Sequence, residues 1–137
     1  MAVPLGSYLP AVISGNLIFV SGQLPLKDGN LLHKGKVGVD LSVEQGIEAA
    51  RVAAINSVLV MKSELGDLNR ITRIVKVAGY VSSGTGFDMQ AKVVNGASDL
   101  LYEIFGDIGR HARAAVGVYE LPLGAPVEIE LIAEISS

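Results

Sequence analysis

Near the end of the chain, Gly109 to Glu130 reads G-R-H-A-R-A-A-V-G-V-Y-E-L-P-L-G-A-P-V-E-I-E. Two strand-like runs, Ala114 to Tyr119 and Val127 to Ala133, flank a loop punctuated by Pro and Gly, the pattern of an antiparallel hairpin. In the second run Val127, Ile129, Leu131, Ala133 and Ile135 share one face of a period-two strand, and Glu128, Glu130 and Glu134 share the other. Arg113 opens the first run among Ala112, Ala114 and Ala115, which are too small to cover a guanidinium. An arginine fork grips a carboxylate at two points, and a glutamate orients or deprotonates a water, so the two residues together point to an anionic small-molecule site. The plainer readings are a solvated edge arginine and the ordinary alternation of a half-buried sheet.

The hairpin has a geometric consequence. If residues 113–120 pair with 127–134, Arg113 lies opposite the neighbourhood of Glu134. That is about six strand positions from Glu128, or roughly 20 Å at ~3.3 Å per residue. One chain then cannot bring both side chains to one substrate, and a shared site has to lie between subunits.

Upstream, Pro4, Gly6 and Pro10 make residues 1–10 an irregular lead-in, with Tyr8 an apolar ring carrying a polar tip. Ser14-Gly15-Asn16 joins strands at Ala11 to Ile13 and Leu17 to Val20; the second is apolar throughout and is expected to be buried on both faces, one of them against another subunit. Ser21-Gly22-Gln23 closes it, and a glycine there lets the backbone approach a ligand. Leu31 to Val37 reads as a short strand.

A long helix is expected over Val43 to Leu65, with Ser42 and Gln45 as a capping box and Gly66 as the stop. Asn56 lies outside its apolar stripe and is expected to face solvent. Ile71 to Ser82 is a strand with Arg73 and Lys76 on opposite faces by period two. The S-S-G-T-G loop lacks the lysine of a phosphate-binding motif. A second helix is expected over Phe87 to Phe105. The order fits an α+β class: a mostly antiparallel sheet with two helices packed on one face, in a single domain over residues 1–137.

Composition excludes several classes. The net charge is −3, without a Lys/Arg run, and the pI is about 5.3, which argues against a nucleic-acid partner. A local basic pocket would have to contain Arg110 and Arg113. The chain has no cysteine, so neither a disulfide framework nor a thiol nucleophile is available. No run approaches the ~20 apolar residues of a membrane span, and no secretory signal opens the chain, so a cytoplasmic protein is expected. Half the residues are hydrophobic and the mean hydropathy is +0.45, enough that part of the apolar surface is expected to need a partner subunit.

The A-R-A-A-V-G-V-Y-E-L-P segment followed by V-E-I-E-L-I-A-E resembles the signature of the RidA/YjgF family, once described as endoribonuclease L-PSP. Gly6 to Tyr8, G-N-L-I-F-V-S-G-Q-L-P-L at Gly15 to Leu26 and V-N-G-A-S-D-L-L at Val94 to Leu101 fit it in the same order. The resemblance implies a chorismate-mutase-like homotrimer with a small carboxylate-bearing substrate at an intersubunit cleft. It also implies 2-iminobutanoate/2-iminopropanoate deaminase activity with no metal and no organic cofactor. In such enzymes the arginine matching Arg113 holds the carboxylate, water adds to the C=N carbon, and the residue matching Glu128 positions or activates that water. Tyr8, Ser21, Gly22, Phe87, Asn95, His111 and Ala115 are then expected to bind substrate.

Two positions depart from the family pattern. Ala115 stands where the family carries a site cysteine, and His111 where many relatives carry proline. The stretch G-R-H-A-R thus resembles a divergent branch. His111 reads first as a packing or surface residue and second as a ligand contact. Three alternatives to the deaminase stay open: a non-catalytic small-carboxylate binder, an endoribonuclease, which the acidic pI opposes, and a mutase by analogy of fold alone.

Overall fold

A computed structural model describes residues 3–137. Four short strands come first: β1 (Ala11–Ser14), β2 (Leu17–Gln23), β3 (Leu26–Lys27) and β4 (Asn30–Leu31). The strand expected up to Val37 stops at Leu31. Gly35 (φ 122°) and Gly38 (φ 93°) break the extended run, and Val37 makes only isolated bridges to Leu41 and Ser83.

Helix α1 (Val43–Leu65) has the expected bounds, because both ends are set by local hydrogen bonds. The Ser42 hydroxyl accepts from Gln45 N–H and the Gln45 side chain accepts from Ser42 N–H. At the other end Gly66, at φ 80°, donates its N–H to the Lys62 carbonyl. Strand β5 (Ile71–Ser82) follows, then α2 (Gln90–Phe105), β6 (Ala112–Val118) and β7 (Val127–Ile135). Helix α2 begins three residues later than Phe87, and its N-cap, Met89, has no side-chain cap bond. The two helices lie against each other over one face of the sheet. Gly96 permits the approach: a Cβ there would sit 3.0 Å from the Ile47 carbonyl carbon and closer still to its oxygen.

The main sheet has the order β1-β2-β7-β5-β6, antiparallel except for the parallel pair β5–β6. The hairpin expected between β6 and β7 is therefore not formed; β5 lies between them. A parallel neighbour requires a crossover connection, and α2 supplies it, so the chain leaving α2 docks beside β5. Residues 119–126 then carry the chain across to β7. Period-two alternation identified both strands and could not identify their partners.

Strand β7 alternates as expected, with Val127, Ile129, Leu131, Ala133 and Ile135 buried under the helices. Strand β2 is covered on one face only: Ile18 and Val20 enter the core while Phe19 is 41% exposed. On β5 the expected split of Arg73 and Lys76 fails. Register shifts at Ile71/Arg73 and Ile74/Lys76 place them opposite Glu134 and Ile132, on one face. Asn56 is also corrected: it is 6% exposed, and its Nδ2 donates to the Leu24 and Leu26 carbonyls at 3.0 and 2.9 Å. A buried amide is tolerated there because the loop backbone needs its donors. Opposite the helices the sheet is uncovered, and Phe19, Ala78, Val116 and Ile132 surround a depression of about 280 Å³ with Lys76 and Glu130 at its polar side.

Candidate functional site

Strand β6 is an edge strand of small residues, and its register sets the direction of its one arginine. Arg113 is opposite Val77, which is opposite Leu131, and both of those face the helices. Register partners on adjacent strands share a face, so Arg113 projects toward α2. There its Nη1 donates to Asn95 Oδ1 at 2.8 Å and to Ser98 Oγ at 3.2 Å, and its Nη2 donates to the Ala91 carbonyl at 3.2 Å. Asn95 and Ser98 are three apart and so neighbours on the helix surface. A guanidinium has five N–H donors. The Nε–H and one Nη2–H stay without partners among the described residues, which leaves a two-point edge suited to a carboxylate.

His111 completes this cluster. Its Nδ1 lies 2.7 Å from the Gly109 carbonyl and its Nε2 lies 2.8 Å from Ser98 Oγ. A carbonyl only accepts, so Nδ1 carries a proton. Burial, first, pushes the imidazole below its usual value, and the Arg113 and Arg73 charges act in the same direction against the Gly109 hydrogen bond. The ring is therefore neutral at pH 7, its Nε2 is the acceptor, and the Ser98 hydroxyl donates to it. Ser98, His111 and Arg113 open into a recess of about 470 Å³ that Asp99, Tyr102, Gly109 and Arg110 also line. Arg110 stacks over the Tyr102 ring at 4.4 Å, with Asp107 3.5 Å away.

Glu128 belongs to a second recess, of about 330 Å³, which contains Tyr8, Gly22, Gln23 and Pro122. Gly22 lies directly under the Glu128 carboxylate: a Cβ there would stand 2.5 Å from Oε2, so the Glu128 side chain would have to swing aside. Burial raises the Glu128 carboxyl above its ordinary value, and the charge on Glu130 raises it further. Glu130 in turn accepts the Tyr80 hydroxyl, which holds the Tyr80 pKa up at about 12. Tyr8 is half exposed, its hydroxyl accepting the Leu5 N–H at 3.2 Å. Ser21 donates to the Leu9 carbonyl at 2.6 Å and ties the lead-in to β2.

The residues expected to form one site thus fall into two groups. Arg113, Asn95 and His111 meet on the helix side of the sheet; Glu128, Gly22 and Tyr8 meet on the other side, since Glu128 is opposite Tyr80 and Tyr80 opposite Val116. Ala115 follows Arg113 on the same face, packed against the core. Phe87 lines neither recess; its ring covers Gly38, where a Cβ would be 2.8 Å away, and it packs on the core. Ser98 was not singled out from the sequence. Its only signal was its place three residues after Asn95, which gains meaning once Arg113 is known to reach α2. Among the described residues no group of three or more His, Asp or Glu converges as a metal site requires, and no helix is long and apolar enough to cross a membrane.

The class is that of two-helix α+β chains with an arginine on a small-residue edge strand and a glutamate recess on the opposite face of the sheet. A family model described as "YjgF/chorismate mutase-like, putative endoribonuclease" matches residues 1–135. The protein TCP17 of Trypanosoma cruzi is 44% identical over 137 residues, covering 99% of this chain and 86% of that protein. A crystal structure of a protein of unknown function from Agrobacterium tumefaciens superposes with a TM-score of 0.94 at 46% identity, over 98% of this chain and 87% of that one. Another, titled a putative endoribonuclease, from Shewanella oneidensis, gives 0.95 at 37% identity, over 98% and 89%. The chain belongs to the RidA/YjgF family.

Proposed function

We propose that the chain is a cofactor-independent imine deaminase, hydrolysing 2-imino and enamino acids to 2-keto acids and ammonia in a cleft between copies of a homotrimer. The observation that carries this reading is the state of Arg113: three hydrogen bonds to α2 fix its plane, and two adjacent donors are left over. Such a fork orients a carboxylate and so sets the neighbouring carbon of the substrate in place. The C=N carbon of a protonated imine is already electrophilic. Water adds to it, and the carbinolamine releases ammonia.

Assembly follows from the faces. Arg113 and Glu128 lie on opposite sides of one sheet, so a substrate touching both takes Arg113 from one copy and Glu128 from another. The uncovered sheet face with Phe19, Val116 and Ile132 supports packing of copies against it. Glu128, with its raised pKa, exchanges a proton closer to neutrality than an exposed glutamate does, which suits water addition or amine departure.

The test is release of 2-keto acid and ammonia from imines freshly generated by an amino-acid oxidase, with the wild type beside Arg113→Ala. Acceleration over the spontaneous rate that the substitution abolishes is the expected result. No acceleration from a folded oligomer refutes the deaminase, and keto-acid binding that persists would leave a small-carboxylate binder.

A further inference from the structure

Ser98 has a hydrogen-bonding state that a merely structural serine does not need. A hydroxyl offers one donor and two acceptor positions. The donor goes to His111 Nε2 at 2.8 Å, and one acceptor position takes the Arg113 Nη1–H at 3.2 Å. The second acceptor position has no partner among the described residues, and Ser98 lines the recess into which Arg113 opens. The His111 ring is held behind it by the Gly109 carbonyl at 2.7 Å, which fixes the tautomer and leaves Nε2 as the acceptor. The arrangement is a hydroxyl, a base within hydrogen-bond reach of it, and a third group orienting the base.

We propose that Ser98 and His111 form a proton relay for the ligand held on Arg113: Ser98 Oγ takes a proton from a ligand or water and passes its own to His111 Nε2. The ligand class is a small carboxylate with an O–H or N–H donor, or a bound water, beside the carboxylate. The guanidinium on Ser98 Oγ stabilises the charge that develops as the hydroxyl proton moves to His111. Other charged or titratable groups around His111 are Arg73 on β5, Asp99 and Tyr102 on α2, and Arg110.

Within the deaminase reading, on which only the kinetic part rests, the steps balance. Water oxygen bonds to the carbon of the protonated imine, the C=N pair moves to nitrogen, and the water proton enters Ser98 as the Ser98 proton enters His111. The relay then runs backward and delivers that proton to the carbinolamine nitrogen. The C–N bond breaks, the hydroxyl becomes the keto oxygen, and its proton leaves with ammonia as ammonium.

One experiment reads the relay without turnover. In histidine-labelled protein, which has only two histidines, nitrogen NMR at pH 7 is expected to show His111 protonated at Nδ1. Adding L-lactate, whose 2-hydroxyl supplies the donor, is expected to move the His111 Nε2 resonance in the wild type and in Ser98→Thr, and not in Ser98→Ala. Propionate, which lacks the donor, is expected to move it less. A lactate titration that leaves Nε2 unmoved in the wild type, or moves it equally in Ser98→Ala, overturns the relay. In the imine assay, Ser98→Ala is expected to lower kcat by about 10²-fold or more with a much smaller rise in KM from the lost Arg113 hydrogen bond, and Ser98→Thr to restore kcat. Unchanged kcat in Ser98→Ala overturns the relay. Absence of wild-type turnover refutes the deaminase alone, and the lactate titration still decides the relay.

Discussion

Gly96→Ala tests whether the packing of the two helices also sets the site. Taken alone on a helix, alanine for glycine favours folding by ~1 kcal/mol. Here a Cβ would lie 3.0 Å from the Ile47 carbonyl carbon and nearer to its oxygen. Non-bonded carbons rest at about 3.5–4.0 Å, so α2 has to move off α1 by roughly 0.5–1 Å. The obstacle is backbone and cannot rotate away, which puts the cost at the upper end of overpacking, about 3 kcal/mol. The net expectation is destabilisation by about 2 kcal/mol, a fall of about 1 M in the urea midpoint for a slope of ~2 kcal/mol/M. The measurement is urea unfolding at fixed protein concentration, with Asp99→Ala, an exposed position on the same helix, as a control expected to stay within ~0.5 kcal/mol. Asn95 and Ser98 flank Gly96, so the same displacement draws the partners of Arg113 away and is expected to weaken carboxylate binding. A midpoint unchanged or raised by Gly96→Ala would refute the claim that the helices are in contact there.

Asn56→Ala is expected to cost about 1–3 kcal/mol in the same unfolding assay, because the Leu24 and Leu26 carbonyls lose their donor in a buried place; a cost below ~0.5 kcal/mol would show that water replaces the amide. Glu128 has a folded pKa raised above its ordinary 4.5, so the unfolded chain loses that proton first as pH rises. This group therefore lowers stability from about pH 4.5 up to its raised folded pKa, and the penalty stays constant above it. Glu128→Gln is expected to raise the unfolding midpoint near pH 7 and to lose that advantage toward pH 4; an equal effect at both values would place the cause elsewhere.

The readable parts of the fold were those decided by neighbours in sequence. The ends of α1 depend on Ser42, Gln45 and Gly66, all within the reach of a single turn, and the buried face of β7 follows from simple alternation. What could not be read depended on distant partners. Alternation located β6 and β7 but not the strand between them, and the bulges on β5 shift Arg73 onto the face of Lys76 through pairing with β7. Asn56 counted as polar and therefore outward until two carbonyls, Leu24 just after β2 and Leu26 in β3, were seen to require it. The site divided in the same way. Arg113, Glu128 and Asn95 were marked by residue type and family likeness, whereas Ser98 matters because a crossover helix sets it beside the edge strand.

That edge strand raises the question of what holds its register. Ala112, Ala114, Ala115 and Gly117 give β6 little side-chain bulk, and weakly patterned strands slip easily. A slip of one residue would turn Arg113 from the helix side to the open face of the sheet. The strongest restraints against it are polar and lie at one end of the strand: Arg113 to Asn95, Ser98 and Ala91, and His111 between Ser98 and Gly109. Gly109 lets the chain leading into β6 lie close against α2, since a Cβ there would meet the Leu101 carbonyl carbon at 2.9 Å. The residues that hold Arg113 therefore also pin the strand that carries it, so substitutions at Ser98 or His111 act on the direction of Arg113 as well as on the proposed proton relay. A double-mutant cycle of Ser98→Ala with Arg113→Ala in the unfolding assay measures the first effect alone, and a coupling of about 1.5 kcal/mol or more is expected for a hydrogen bond to a charged group.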